Sequence, residues 1–227
     1  MASAHASSPV LICCKGILFD MDGILIASID SVERSWTKWA LMRGVDPAYA
    51  CRIAHGCRAI ETVARLRPDL DSKAELKVIE DIEVADGDDL SVLPGVEQLI
   101  ASLPIDRWTV VTSATERLAR ARLAKAGLPV PGRLITADQV SQGKPYPQPY
   151  LAGAALLRLP PEACVVFEDS ESGVNAGRAA GCTVVATTFS HEVESLAQAH
   201  HLVRDLTGVT ATHEDGTVKL SFQPLPR

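Results

Sequence analysis

The sequence predicts an α/β fold: a doubly wound parallel sheet carrying a small all-helical cap inserted after the first strand. Three observations predict it. Short apolar runs rich in β-branched residues alternate with helical patterns through the second half of the chain, which argues for a parallel sheet covered on both faces. Between residues 28 and 90 only helical patterns occur. The first apolar run ends in two carboxylates one residue apart, Asp20 and Asp22, followed by Gly23.

The elements follow in order. Residues 10–18 form an apolar run broken only by Lys15 and Gly16 and read as one buried strand. Helical patterns then cover 31–43, 47–53, 58–66 and 72–85, with connections to the rest of the chain near 26–28 and 90–95. This gives core segments 1–27 and 91–227 and a cap of 28–90. Strand 108–112 precedes a helix over 116–127 that stops at a glycine. A brief strand at 133–136 leads to a helix over 147–159 with proline at its start. Strand 163–167, a helix from 170 to about 180, strand 183–188, a helix near 193–199 and the pair Leu202-Val203 complete the alternation, and 218–222 adds a short edge strand. Trp36 and Trp39 share a helical face with Val32 and read as cap core. Gly173, Gly177 and Gly181 recur every four residues and read as close packing of their helix on the sheet, not as ligand contacts.

Composition limits the function. The 227 residues are 47% hydrophobic and 22% charged, which fits a packed globular chain and not a disordered one. The net charge is −6 with no basic block, which argues against nucleic acid and anionic membranes as partners. No stretch reaches the roughly 18 apolar residues of a membrane span, and the first residues lack the pattern of a secretory leader. The six cysteines form no Cys-x-x-Cys pair and have no histidine at zinc spacing, so they read as reduced, mostly buried thiols. A cytoplasmic monomer acting on a small metabolite is the expectation.

Four clusters fall at or just after predicted strand ends: Asp20/Asp22, Thr112-Ser113, Gly143-Lys144-Pro145 and Glu168-Asp169. Open parallel sheets bind ligands at the carboxyl ends of their strands, so these clusters could converge. Two like charges at ~4 Å repel by about 4 kcal/mol at an effective dielectric of 20. Four carboxylates together therefore call for a divalent cation and a lysine, and oxygen-only ligands favour magnesium (Mg2+). Phosphoryl transfer uses such a set: a carboxylate that attacks phosphorus, a second that moves protons, and a hydroxyl and a lysine on the equatorial oxygens.

Asp20-Met21-Asp22-Gly23, Thr112-Ser113, Lys144-Pro145 and Glu168-Asp169 match, in order, the four motifs of the haloacid dehalogenase-like (HAD) hydrolases. The resemblance spans nearly the whole chain. Stretches 31–36, 55–58, 93–95, 143–150 and 165–173 look most like sugar-phosphatases and the glycerol-3-phosphatase/2-deoxyglucose-6-phosphatase group. It implies a Rossmann-like core and a magnesium-dependent phosphatase of small phosphorylated sugars or polyols working through an aspartyl-phosphate. Asp20 would be the nucleophile and Asp22 the general acid/base. Thr112, Ser113 and Lys144 would bind the phosphoryl group. Asp20, the backbone carbonyl of Asp22, and Asp169 would hold the metal, with Glu168 at or behind it. In the cap, His55 and Arg58 flank a glycine and are candidates to face the substrate. A sugar phosphomutase of the β-phosphoglucomutase kind shares every one of these motifs, and a non-catalytic binding protein on the same fold is the alternative from another class.

Three residues depart from the common family pattern. Ile24 stands where threonine usually follows the glycine, Ala27 where a second aspartate is frequent, and Gln148 where aspartate is common after Lys-Pro-x-Pro. Ile24, an apolar side chain beside the nucleophile loop, is the sequence hint for the non-catalytic alternative.

Overall fold

The computed structural model describes residues 8–190 and 192–226. Five parallel strands form the central sheet in the order β5 (Trp108–Val110), β2 (Gly16–Phe19), β6 (Cys164–Glu168), β7 (Thr183–Thr187) and β8 (His201–Val203). Alternating side chains divide between its two faces. Ile17, Phe19, Val165, Phe167 and Val185 enter one core together with Val96 and Leu99 of α5 (Val96–Ala101) and Ala119 and Leu123 of α6 (Glu116–Lys125). Leu18, Val166, Val184 and Ala186 enter the other, against Tyr150 and Ala154 of α7 (Gln148–Leu156) and Val174 and Ala176 of α8 (Glu171–Ala179). Burial on both faces explains why these strands read as continuous apolar runs. Each fully buried large apolar side chain contributes roughly 1.5–3 kcal/mol.

The expected single strand over 10–18 is two strands. The chain breaks at Lys15, and β1 (Val10–Cys14) leaves the parallel sheet to pair antiparallel with β10 (Thr217–Phe222). β10 also pairs with β9 (Thr210–Glu214), so it is the central strand of a second, three-stranded sheet and not an edge. Of β1 and β2, only β2 is buried along its whole length. The expected strand at 133–136 contributes one bridge, Ile135 to Val111. The expected helix near 193–199 is a series of turns closed by three-residue bonds such as Leu196 N–H to the Val193 carbonyl. Leu196 and Ala199 bury themselves from these turns. Helix α5 and strand β9 had no distinct signal in the sequence.

The helical segment follows β3 (Ile26–Ala27), which pairs with β4 (Ser91–Val92) to bring the two connections together. It comprises α1 (Ile29–Arg43), α2 (Pro47–Ala54), α3 (Ala59–Leu66) and α4 (Ser72–Ala85). Asp46 and Asp71 cap α2 and α4 by accepting from backbone N–H groups of the first turn, and Gly44 ends α1. The cap has its own core around Trp39, Ala50, Val63 and Ile79. Trp36 meets Trp39 edge-on at 5.4 Å, and the Trp39 indole N–H donates to Glu75, which also accepts from Arg43. Trp36 and Val32 also line the cleft below, so this stripe serves both the cap core and the cleft wall. No helix among the described residues is long and apolar enough to cross a membrane. None of the six cysteines is in a disulfide; Cys14, Cys164 and Cys182 are buried and Cys13 is exposed.

Candidate active site

Strands β5, β2 and β6 are neighbours, so their carboxyl ends bring Thr112, Asp20 and Glu168-Asp169 to one place. Asp20 is the first residue past β2, and its N–H donates to the Phe167 carbonyl of β6 at 3.0 Å. Gly23 then turns the chain at φ +81°, with its N–H donating to the Ile26 carbonyl. A Cβ at Gly23 would lie 1.8 Å from Asp169 Oδ2, so only glycine lets this loop and Asp169 approach so closely.

Lys144 arrives from the loop before α7. Its Nζ donates to Asp20 Oδ1 at 2.5 Å and to Glu168 Oε1 at 2.6 Å. Glu168 is fully engaged. Oε1 also accepts from the Tyr150 hydroxyl at 2.7 Å, and Oε2 accepts from the Asp169 N–H, the Ser170 N–H and the Ser170 hydroxyl at 2.9–3.0 Å. Burial opposes ionisation of Glu168, but Lys144 and these donors outweigh it and hold the carboxyl below its usual range. Burial pushes Asp20 up to about 7, against the pull of Lys144 and with the help of Glu168. Asp169 is raised well above the ordinary range by burial and then by Glu168 and Asp20; the Ser190 hydroxyl donates to it. Desolvation disfavours the Lys144 cation, yet Asp20 and Glu168 keep it charged.

Asp20, Glu168 and Asp169 thus bring carboxylate oxygens within 4.8 Å of one another, all buried. One lysine leaves this cluster with excess negative charge. A hard divalent cation with oxygen ligands fits the donor set, with Asp20 and Asp169 as available oxygens and Glu168 occupied behind them.

The other motif residues line the same cleft. Thr112 is buried, with its Oγ1 accepting from the Ala114 N–H. Ser113 donates at 3.1 Å to the carbonyl of Gly56 in the cap, which also accepts from Ser172 at 3.3 Å, so the 55–57 loop of the cap sits over the motif loops. His55 lines the cleft. Arg58 does not. Its guanidinium donates to the Val140 and Ser141 carbonyls at 2.6 and 2.9 Å and to Glu61, so it fastens the cap to the core beside Lys144 instead of facing a substrate. Arginine in a cap loop signals an anion reader, but its planar fork satisfies carbonyls equally well. The cleft holds about 790 Å³ counting its open mouth.

The departures from the family pattern have visible consequences. Ile24 is buried in the sheet core and does not line the cleft, so it leaves the reaction space open. Gln148 accepts from the Gln142 N–H at 2.7 Å and the Ser141 hydroxyl at 2.9 Å, steadying the loop that carries Lys144 with an amide oxygen where a carboxylate is common. Of the recurring glycines, Gly177 packs on Val184 as expected. Gly173 instead faces the site, where a Cβ would fall 1.7 Å from Glu168 Oε1, and nothing lies against Gly181.

Sequence reasoning missed Arg122, Glu83 and Tyr150. Arg122 of α6 is buried and donates from Nη1 to both Asp22 oxygens at 2.9 and 3.0 Å and from Nη2 to Glu83 of α4 at 3.3 Å. Ser28 also donates to Asp22, at 2.5 Å. The available signal was position: Arg122 shares the buried face of α6 with Leu118 and Ala119, where a solvated arginine does not belong.

Comparison with known proteins identifies the family. The chain is 38% identical over 209 residues to hexitol phosphatase A of Escherichia coli K12, covering 88% of this chain and 95% of the relative. It is 34% identical over 238 residues to 2-deoxyglucose-6-phosphate phosphatase 1 of Saccharomyces cerevisiae, covering 92% and 96%. A hydrolase structure from Pseudomonas syringae superimposes with a TM-score of 0.76 at 22% identity, covering 85% of this chain and 94% of that one, which speaks for the shared fold. Residues 14–181 match the family model described as haloacid dehalogenase-like hydrolase, and the chain belongs to that family.

Proposed function

We propose that the protein is a magnesium-dependent phosphatase of small phosphorylated sugars or polyols, acting through an aspartyl-phosphate on Asp20. The observation that carries this reading is the Lys144 bridge between Asp20 and Glu168, with Asp169 beside it, at the carboxyl ends of β2 and β6 beneath a cap. The names of the relatives, a hexitol phosphatase and a 2-deoxyglucose-6-phosphate phosphatase, support the substrate class.

In this reading Thr112, Ser113 and Lys144 hold the phosphoryl oxygens. Asp20 attacks phosphorus as the bond to the leaving oxygen breaks, and Asp22 gives that oxygen a proton. Asp22 then takes a proton from water, the water oxygen attacks phosphorus, and Asp20 is released with free phosphate. Magnesium, held by Asp20, the Asp22 carbonyl and Asp169, would offset the charge that otherwise keeps an anionic substrate from an anionic nucleophile. Glu168 is committed to fixing Lys144. The cap, taken as residues 28–90 on a core of 1–27 and 91–227, excludes bulk water and reads the leaving group.

A phosphate-release screen tests this, run over sugar, polyol and nucleotide monophosphates with magnesium and with a chelator. Release from sugar or polyol phosphates that the chelator abolishes is the expected result. No release from any ester would overturn the enzyme reading in favour of a binding protein. Transfer between the 1- and 6-positions of a sugar without net release would establish the mutase instead.

A further inference from the structure

The part of the cleft beyond Lys144 has a charge pattern of its own. Asp22, Glu80 and Glu83 face it together with Arg122. Each cation nearby is already engaged. Lys144 is held by Asp20 and Glu168, Arg122 by Asp22 and Glu83, and Arg58 by Glu61 and two core carbonyls. Glu80 accepts from the Thr115 hydroxyl and, at 2.6 Å, from Arg117. The region that must receive the leaving group therefore carries three carboxylates, of which Asp22 and Glu83 share one arginine and Glu80 is paired with Arg117 outside the cleft lining.

Two polar atoms in this region lack a protein partner. Arg122 Nε is buried and donates to nothing, although the side chain is only 4% exposed. Glu83 is 7% exposed and, among the described residues, its carboxylate engages Arg122 through Oε1 alone. A buried donor left unpaired costs stability, so the Arg122–Glu83 pair beside the cleft is an unsaturated network. Glu83 lines the cleft and offers a carboxylate oxygen to a ligand hydroxyl, which donates to it. A carboxylate or a second ionised phosphate has no proton to give Glu83 and would face Glu83, Glu80 and Asp22.

We propose that the cleft selects phosphomonoesters whose leaving group is uncharged and rich in hydroxyls, with Glu83 reading one hydroxyl and Arg122 positioning Glu83, and that it rejects substrates bearing a second anionic group. This rests on the phosphatase reading. It also separates the protein from a mutase, because a bisphosphate intermediate must seat its second phosphate in this same anionic region.

The test uses two matched pairs, glucitol 6-phosphate against 6-phosphogluconate and glycerol 3-phosphate against 3-phosphoglycerate, with p-nitrophenyl phosphate as a turnover control. For the pair whose neutral member is turned over faster, kcat/KM for the neutral ester is expected to exceed that for its acid by about 100-fold or more. At pH 8, above the value of about 7 to which burial raises Glu83, Glu83→Gln keeps the shape, removes the charge and is expected to narrow that ratio about tenfold, chiefly through a lower KM for the acid. A wild-type ratio within about threefold in both pairs overturns the inference without needing any variant, as does a ratio that Glu83→Gln leaves unchanged. Turnover of p-nitrophenyl phosphate with a flat ratio sinks this inference alone. Absence of turnover on every ester sinks the phosphatase reading and this inference with it.

Discussion

Lys144 and Arg122 are both buried cations tied to two carboxylates at the cleft, yet they are held in different ways. The Lys144 knot belongs wholly to the core: the residue just past β2 is Asp20, β6 supplies Glu168, α7 supplies Tyr150 and the start of α8 supplies Ser170. Both oxygens of Glu168 are engaged. The Arg122 knot joins the core helix α6 to the cap helix α4 and leaves Nε of the arginine unpaired. A saturated network holds its members in one arrangement, whereas an unsaturated one spanning two parts of the fold is receptive to a ligand. The difference separates a fixed frame for phosphoryl chemistry from a surface that reads the leaving group.

Breaking the saturated knot is expected to have the largest effects. Asp20→Asn removes the nucleophile while keeping its shape, so turnover is expected to fall by about 10⁴-fold or more with secondary structure intact by circular dichroism. Substantial remaining activity would remove Asp20 from that role. Lys144→Met strands Asp20 and Glu168 as buried carboxylates without their cation. Loss of one partner from a buried pair costs about 3–5 kcal/mol, and at about 2–4 °C per kcal/mol for a chain of this size the melting temperature is expected to drop by roughly 6–20 °C in chelator. An unchanged melting temperature would mean that Lys144 is not what stabilises the acidic cluster. Gly173→Ala places a methyl carbon 1.7 Å from Glu168 Oε1 and must displace that carboxylate from Lys144. A loss of about 10–100-fold in kcat is expected, because misplacing a catalytic group by about 1 Å costs on that order.

The same contrast explains what the sequence revealed. Asp20, Asp22, Lys144 and Asp169 were legible because each sits at a strand end or in a Gly/Pro-marked loop, where backbone geometry gives a short motif its meaning. The parallel sheet was legible because burial on both faces leaves apolar runs. Arg122 and Glu83 were not, because their partners are 39 and 100 residues away along the chain and only tertiary packing joins them. By charge Arg122 reads as a basic residue of a last helical turn, and only its place beside Leu118 and Ala119 on the apolar face hints at burial. The break at Lys15 was hidden for a similar reason: β1 and β2 are both apolar, and only pairing with β10, some 200 residues later, separates them.

The smallest effect is also the one that distinguishes the two knots by sign. Burial raises Glu83 from an ordinary value of 4.5 to about 7, with Arg122 opposing and Asp22 and Glu80 reinforcing the shift. The folded protein then binds this proton more tightly than the unfolded chain does. Its contribution to stability is full below about 4.5 and is lost as pH rises through about 7. Glu168 is lowered, so its contribution is present above its ordinary value of 4.5 and is lost as pH falls through the lower folded value. Melting curves in chelator from pH 5 to 8 should therefore show wild type losing ground to Glu83→Gln as pH rises, by at most about 3 kcal/mol for a shift of this size. Other groups that titrate in that window, Asp20 among them, are common to both proteins and cancel in the difference. Glu168→Gln, measured against wild type toward acid pH, should give a deficit that shrinks as pH falls. A Glu83→Gln difference that is flat with pH would mean that Arg122 fully neutralises Glu83, and the two knots would then be equally saturated.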